Sequence, residues 1–125
     1  MPPLFLVMFG GAIGAGFRYH IGSVALRQLG IGFPFGTWIV NLLGGLLMGV
    51  LAASVSRDNP LDQPLWLFLG PGVLGGFTTF SAFSLETFAM LQRGDHAMAA
   101  AYAVSSVAGS VVMLICGYYL VRMTA

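Results

Sequence analysis

Four long apolar runs constrain this 125-residue chain more than any other feature. They cover residues 4 to about 26, 35 to about 56, 65 to about 92, and 97 to about 121. A transmembrane helix needs about 20 predominantly apolar residues, and each run is long enough. Lipid-exposed backbone must satisfy its own hydrogen bonds, so such runs form helices. We therefore predict one all-α transmembrane domain, residues 1–125, with four helices.

The small number of charged residues supports a membrane protein, but their distribution does not determine which way the helices cross the membrane. Only 7% of the residues are charged, against roughly 25% in a typical soluble domain. Arg27 and Arg93 lie in connections on one membrane side, side A, whereas Arg57 and Arg122 lie on side B with the N-terminus. Arg18 adds a slight bias toward side A, and arginine bias sets topology. Two possibilities stay open: one fixed orientation, or insertion both ways with pairing as an antiparallel dimer.

The third run is too long for one straight span, and it contains Pro71 within GPGVLGG. Membrane helices interrupted by glycine or proline often offer backbone groups to ions or substrates, although a simple kink is the alternative. A break is favoured because GGFTTFSAFSLE, residues 75–86, follows at once with its many hydroxyls. Glycines four residues apart in the first three runs predict close helix packing.

Uncharged hydrogen-bond donors on three helices lie at similar depths, and the hydroxyls of residues 75–86 are those of the third run. Asn41 is on the second run, and Tyr102, Ser106 and Ser110 share one face of the fourth at i, i+4 and i+8. A lone serine or threonine more often bonds its own helix. Bonding to the own helix explains one hydroxyl, but it explains less well why several hydroxyls and an amide occur together at one depth.

Two phenylalanines, Phe80 and Phe83, lie about 15–20 Å from side A at 1.5 Å per residue, near the midplane. An aromatic ring has a positive edge, so an edge-on ring favours an anion without a fixed positive charge. Neutral donors and ring edges together would bind an anion weakly enough to release it. Packing in the core or against lipid is the alternative role for these rings.

Arg18 and Glu86 are the charged residues that lie well inside the apolar runs. Intramembrane charges are costly and usually functional. These two could pair, or each could line a wet vestibule, while Arg18 could also extend toward the interface.

Other function classes have little support. Cys116 is the single cysteine and the two histidines are isolated, so the sequence predicts no side-chain metal site. It contains no nucleophile–base pair, phosphate loop or dinucleotide fingerprint, which argues against an enzyme. The net charge of +1 does not indicate a nucleic-acid partner.

Three motifs resemble those of the small bacterial fluoride channels, the Fluc or CrcB family. They are GGAIGAGFRY at 10–19, GTWIVNLLGG at 36–45 and, most specifically, GGFTTFSAFSLE at 75–86. The resemblance implies passive fluoride export across the bacterial cytoplasmic (inner) membrane, and hence fluoride resistance. It also implies an antiparallel dual-topology homodimer with two pores in the lipid bilayer.

The resemblance also implies roles for matching residues. The fluoride pore would be lined by polar and aromatic side chains: Asn41, Phe80, Phe83, Thr79, Ser81, Tyr102, Ser106 and Ser110. Backbone carbonyls of Gly75 and Thr78 would hold a structural sodium ion at the dimer interface. Arg18 and Glu86 would lie at the vestibule.

Two positions depart from the family pattern, and two other functions stay open. Ala82 stands where the family usually has threonine, and Leu46 where phenylalanine is frequent. One is a small proton-coupled multidrug exporter, a class that also has four helices and often dual topology. Such exporters resemble one another in using an acidic residue in the first helix, and the first helix of this chain has none. Here Glu86 lies in the third helix instead. The other possibility is a membrane protein that transports nothing.

Overall fold

The computed structural model describes residues 1–55, 59 and 62–124. Arg57, counted above on side B, lies outside the described residues. Helix α1 covers Pro3–Leu29, α2 covers Phe35–Ser54 and the last helix, α6, covers His96–Thr124. The third span, Gln63–Gln92, is broken into segments. All four spans are long and apolar enough to cross a membrane, so the predicted fold class of four transmembrane helices with a broken third is confirmed.

The third span changes its helical form before it breaks. It begins as α3 (Gln63–Leu67), continues as a π-helix (Phe68–Leu74) and ends its first half with α4 (Gly75–Phe77). Pro71 lies inside the π-helix, where its missing N–H removes one ladder bond. The chain stays helical at Pro71, so the break follows GPGVLGG in the sequence.

The break itself covers Thr78 to Phe80. Thr78 is extended, with φ −84° and ψ 161°, and helix α5 then resumes at Ser81–Gln92. Helix α5 ends in a Schellman turn: Gly94 has φ +83°, and the Asp95 N–H donates to the Met90 carbonyl at 2.9 Å. This turn starts α6 next to the end of α5 on side A.

Glycines bring two pairs of helices into backbone contact. A Cβ on Gly10 would lie 2.9 Å from Gly72 Cα, and one on Gly14 would lie 2.7 Å from Phe77 N. Helix α1 is therefore seated directly on the first half of the third span. In the same way, Gly49 of α2 faces the Leu114 carbonyl of α6. Small residues permit this close approach in membrane helices, as the glycine spacing predicted.

Candidate functional site

The amide of Asn41 braces the broken third span. Its Nδ2 donates to the Thr79 carbonyl at 3.0 Å, and its Oδ1 accepts from the Thr79 N–H at 2.9 Å. Exposed backbone groups at a break need partners, and this pair supplies them from α2. An amide nitrogen carries two N–H groups, so one remains for a ligand.

The break also removes the helical donors of two carbonyls. In a continuous helix Gly75 O would accept from the Thr79 N–H, but that group donates to Asn41. Likewise, the helical donor for Thr78 O would be the Ala82 N–H, which donates to Thr79 Oγ1 at 3.2 Å. Such carbonyls suit a hard cation. No group of three or more acidic, cysteine or histidine side chains that could hold a metal occurs in the described part of the chain.

A cavity of about 440 Å³ lies beside the break. It is lined by most of the residues for which the family resemblance implied a role in the pore or the carbonyl site: Asn41, Thr79, Phe80, Phe83, Ser106, Ser110, Gly75 and Thr78. Two predicted pore residues, Ser81 and Tyr102, do not line it. Ser81 lies on an exposed surface with its Oγ 3.4 Å from Thr79 Oγ1, and Tyr102 packs behind Phe83.

The two serines of α6 differ in their bonding. Ser110 Oγ donates to the Asn41 carbonyl at 3.3 Å. Ser106 is only 5% exposed, and its hydroxyl has no hydrogen-bond partner within the described residues. Buried polar groups without a partner are rare and call for an explanation. Ser106 also lines the cavity beside the break, so this buried donor lies next to it.

Two aromatic rings, those of Phe80 and Phe83, line this cavity, and the Tyr102 ring packs behind them. The Phe80 and Phe83 ring centroids are 5.5 Å apart at 45°, and those of Phe83 and Tyr102 are 5.2 Å apart at 44°. Tyr102 has no exposed surface. Both pairs are tilted, and none of the three rings stacks face to face on its neighbour.

Arg18 and Glu86 do not pair, since the one salt bridge within the described residues joins Arg93 and Asp95. Arg18 Nε donates to the Gly76 carbonyl at 3.1 Å, at the edge of the break. Glu86 Oε1 accepts from Thr37 Oγ1 at 2.6 Å. The charged groups are therefore held by separate contacts.

Each of these charged residues lines a cavity of its own. Glu86 and Thr37 line one of about 330 Å³ that extends to the α1–α2 connection. Arg18 lines another of the same size, again with Thr37 and also with Ala82. Ala82, which replaces the threonine usual in the family, therefore lines the Arg18 cavity. Thr37 lines both the Arg18 cavity and the Glu86 cavity.

Sequence reasoning did not select Thr37 as a site residue. It lies one turn before Asn41 on the same face of α2, and that spacing was the available signal. It also did not select Trp38, whose Nε1 donates to Ser105 Oγ at 3.0 Å and links α2 to α6. A contact between residues so far apart in sequence leaves no local pattern.

A family model and individual relatives of this chain agree with one another on its family. A family model described as "CrcB-like protein, Camphor Resistance (CrcB)" matches residues 5–118. The "Fluoride-specific ion channel FluC" of Phenylobacterium zucineum (strain HLK1) is 50% identical over 123 residues, covering 98% of this chain and 97% of that protein. The protein of the same name from Chelativorans sp. (strain BNC1) is 47% identical over 119 residues, covering 95% of both.

Proposed function

This chain belongs to the CrcB-like protein family, as its three motifs predicted, and we propose that it conducts fluoride. It acts as a passive channel rather than as an enzyme. The names of its relatives support fluoride as the ion. The neutral lining of the cavity beside the break supports an anion path.

The observation that carries this proposal is the buried Ser106 hydroxyl, which has no hydrogen-bond partner among the residues that the structure describes. It lines the same cavity as Phe80, Phe83 and Asn41. A fluoride ion there accepts from the hydroxyl and from the second Asn41 N–H, and it meets the positive ring edges. These neutral groups replace part of the hydration shell without holding the ion too tightly to leave.

Fluoride efflux tests the function directly. Purified protein in liposomes loaded with potassium fluoride should release fluoride to an ion-selective electrode once valinomycin balances the charge, whereas liposomes loaded with potassium chloride should retain chloride. No fluoride release above that of empty liposomes would contradict the proposal. Uptake of a cationic dye that depends on a proton gradient would favour the exporter instead.

The second part of the proposal is an antiparallel homodimer in the bacterial inner membrane, with two pores. Phe80 is 75% exposed in a single chain although it lines the cavity, and Gly75 is exposed beside it. A second copy covers both. A broken helix with polar backbone cannot face lipid, which also supports a partner at this surface.

Labelling tests the dual topology. Ile31, 87% exposed in the α1–α2 connection, is replaced by cysteine in a Cys116→Ala background. An impermeant maleimide should label about half of the chains from outside sealed vesicles, and the rest only after permeabilisation. Labelling of all chains from one face would contradict dual topology.

The third part is a structural sodium ion held by the Gly75 and Thr78 carbonyls at the dimer interface. Support comes from the loss of their helical donors to Asn41 and Thr79. Replacing sodium with N-methyl-D-glucamine should lower the melting temperature of the purified dimer, and sodium should restore it. An unchanged melting temperature, with no sodium in the desalted protein by elemental analysis, would contradict this site.

A further inference from the structure

Phe33 lies outside the helices, in the connection between α1 and α2, yet it is partly buried. Its ring contacts three others. The centroid distances are 4.8 Å to Phe35, 5.9 Å to Trp38 and 5.3 Å to Tyr102. The contact with Tyr102 is edge-on at 89°. Phe33 thereby packs on the buried cluster of Met90, Ala99 and Tyr102.

These contacts extend an unbroken series of rings into the cavity beside the break. Phe33 meets Tyr102, Tyr102 meets Phe83, and Phe83 meets Phe80. Tyr102 has no exposed surface, and its hydroxyl donates to Glu86 Oε2 at 3.4 Å. The Tyr102 ring is therefore held at its hydroxyl by Glu86, and by the Phe33 and Phe83 rings.

We infer that Phe33 is a positioning residue that sets the ring angle of Phe83 through Tyr102. This inference rests on the proposed function, in which the Phe83 edge faces the anion. Ring angle matters because the edge of an aromatic ring attracts an anion and its face repels one. If Tyr102 tilts, Phe83 gains room to turn its face toward the path.

Phe33 is partly buried and forms the end of this series that packs on the buried cluster. Phe80, at the other end, is 75% exposed in the single chain. Phe33 also borders the cavity that holds Glu86 and Thr37, so its ring stands between that cavity and Tyr102. Removing it opens space directly behind the Tyr102 ring.

The test compares Phe33→Leu with two matched variants. Phe33→Tyr keeps the ring. Phe35→Leu removes a ring that contacts Phe33 but has no ring contact with Tyr102 among the described residues. Fluoride flux from liposomes should fall about 3- to 10-fold in Phe33→Leu, and stay within about twofold of the unaltered protein in the two controls. Phe33→Met, also large and apolar, replaces Phe33→Leu if that variant fails to fold.

A spectroscopic measurement separates positioning from a general loss of structure. With 4-fluorophenylalanine in place of Phe83, the aromatic ¹⁹F resonance should shift or broaden in Phe33→Leu and stay unchanged in both controls. An unchanged resonance, or an equal loss of flux in Phe35→Leu, would overturn the inference. If the unaltered protein conducts no fluoride, the proposed function fails, but the spectrum still reports whether Phe33 sets the ring angle.

Discussion

The helix contacts on the two sides of the break are built from different groups. Before it, α1 meets the third span backbone to backbone, and Gly14 is so close to Val73 and Phe77 that a Cβ would overlap them. After it, α5 meets α6 through side chains, with the Phe83 ring on Tyr102 and the Tyr102 hydroxyl on Glu86. The first contact leaves no space. The second adjoins cavities of about 330 and 440 Å³.

The third span therefore has two parts. The part before the break, packed on α1 through Gly14, is a rigid frame, and the part after the break, where Phe83 packs on Tyr102, belongs to the candidate site. Backbone contacts through glycine cannot adjust, because there is no side chain to move. Contacts through rings and hydroxyls depend on rotamers, and they present polar groups to a ligand. The break at Thr78–Phe80 lies between the two kinds of contact, and Asn41 braces it from α2.

The largest expected effect tests the frame. Gly14→Ala places a methyl against the Val73 carbonyl and 2.7 Å from Phe77 N, and neither backbone group can yield. We expect almost no monodisperse protein by size-exclusion chromatography in detergent. Gly16→Ala, two residues away on α1, has nothing within 4 Å of the new Cβ and should behave as the unaltered protein. Equal yields of the two variants would show that this contact is not rigid.

The second expected effect concerns the brace. Asn41→Leu removes both hydrogen bonds to Thr79 and the donor offered to the anion. Hydrogen bonds to charged groups contribute enough for fluoride flux to fall roughly 10- to 100-fold, with a lower melting temperature. Ile39→Leu, an apolar exchange of equal volume on the same helix, is the control. Normal fluoride flux in Asn41→Leu would show that the Asn41 amide does not contact the anion on its path.

Sequence reasoning reached the frame more completely than the site. Glycine spacing in the first and third runs predicted close helix packing, and the structure shows that Gly10 and Gly72 meet each other. The position of the break was harder to predict, because Pro71 is the strongest local signal and yet stays helical. What fixes the break is Asn41, 38 residues away from Thr79. Such a contact exists only once the helices are packed.

The same limit explains the mixed outcome for individual site residues. Ser106 and Ser110 were found because one helix face carries both, and both line the cavity. Tyr102 shares that face, but it lies behind Phe83 and not in the cavity wall. Helical periodicity predicts which face of a helix a residue lies on and how deep it lies in the membrane. Whether a side chain from a neighbouring helix covers that residue cannot be read from the periodicity.

The third expected effect tests the rings. Phe80→Ile and Phe83→Ile keep apolar bulk, so either should be mild if the rings only pack. If their edges stabilise the anion, fluoride flux should fall roughly tenfold or more in each, while the protein still folds. The measurement is efflux from liposomes, with size-exclusion chromatography to check the assembly. Near-normal flux in both variants would place the path elsewhere.

The smallest expected effect compares two serines. Ser106→Ala removes a buried hydroxyl that has no hydrogen-bond partner in the described part of the chain. Polar side-chain hydrogen bonds within membranes contribute little on average, so fluoride flux should fall only roughly threefold. Stability should hold or rise, because a buried donor without a protein partner is removed. Ser84→Ala is the matched control: that hydroxyl is exposed and donates to the carbonyl of Phe80, just before its own helix, at 2.9 Å, so flux should not change. A loss of stability in Ser106→Ala without a loss of flux would mean that the hydroxyl serves packing, and the anion path would then depend on the rings and Asn41 alone.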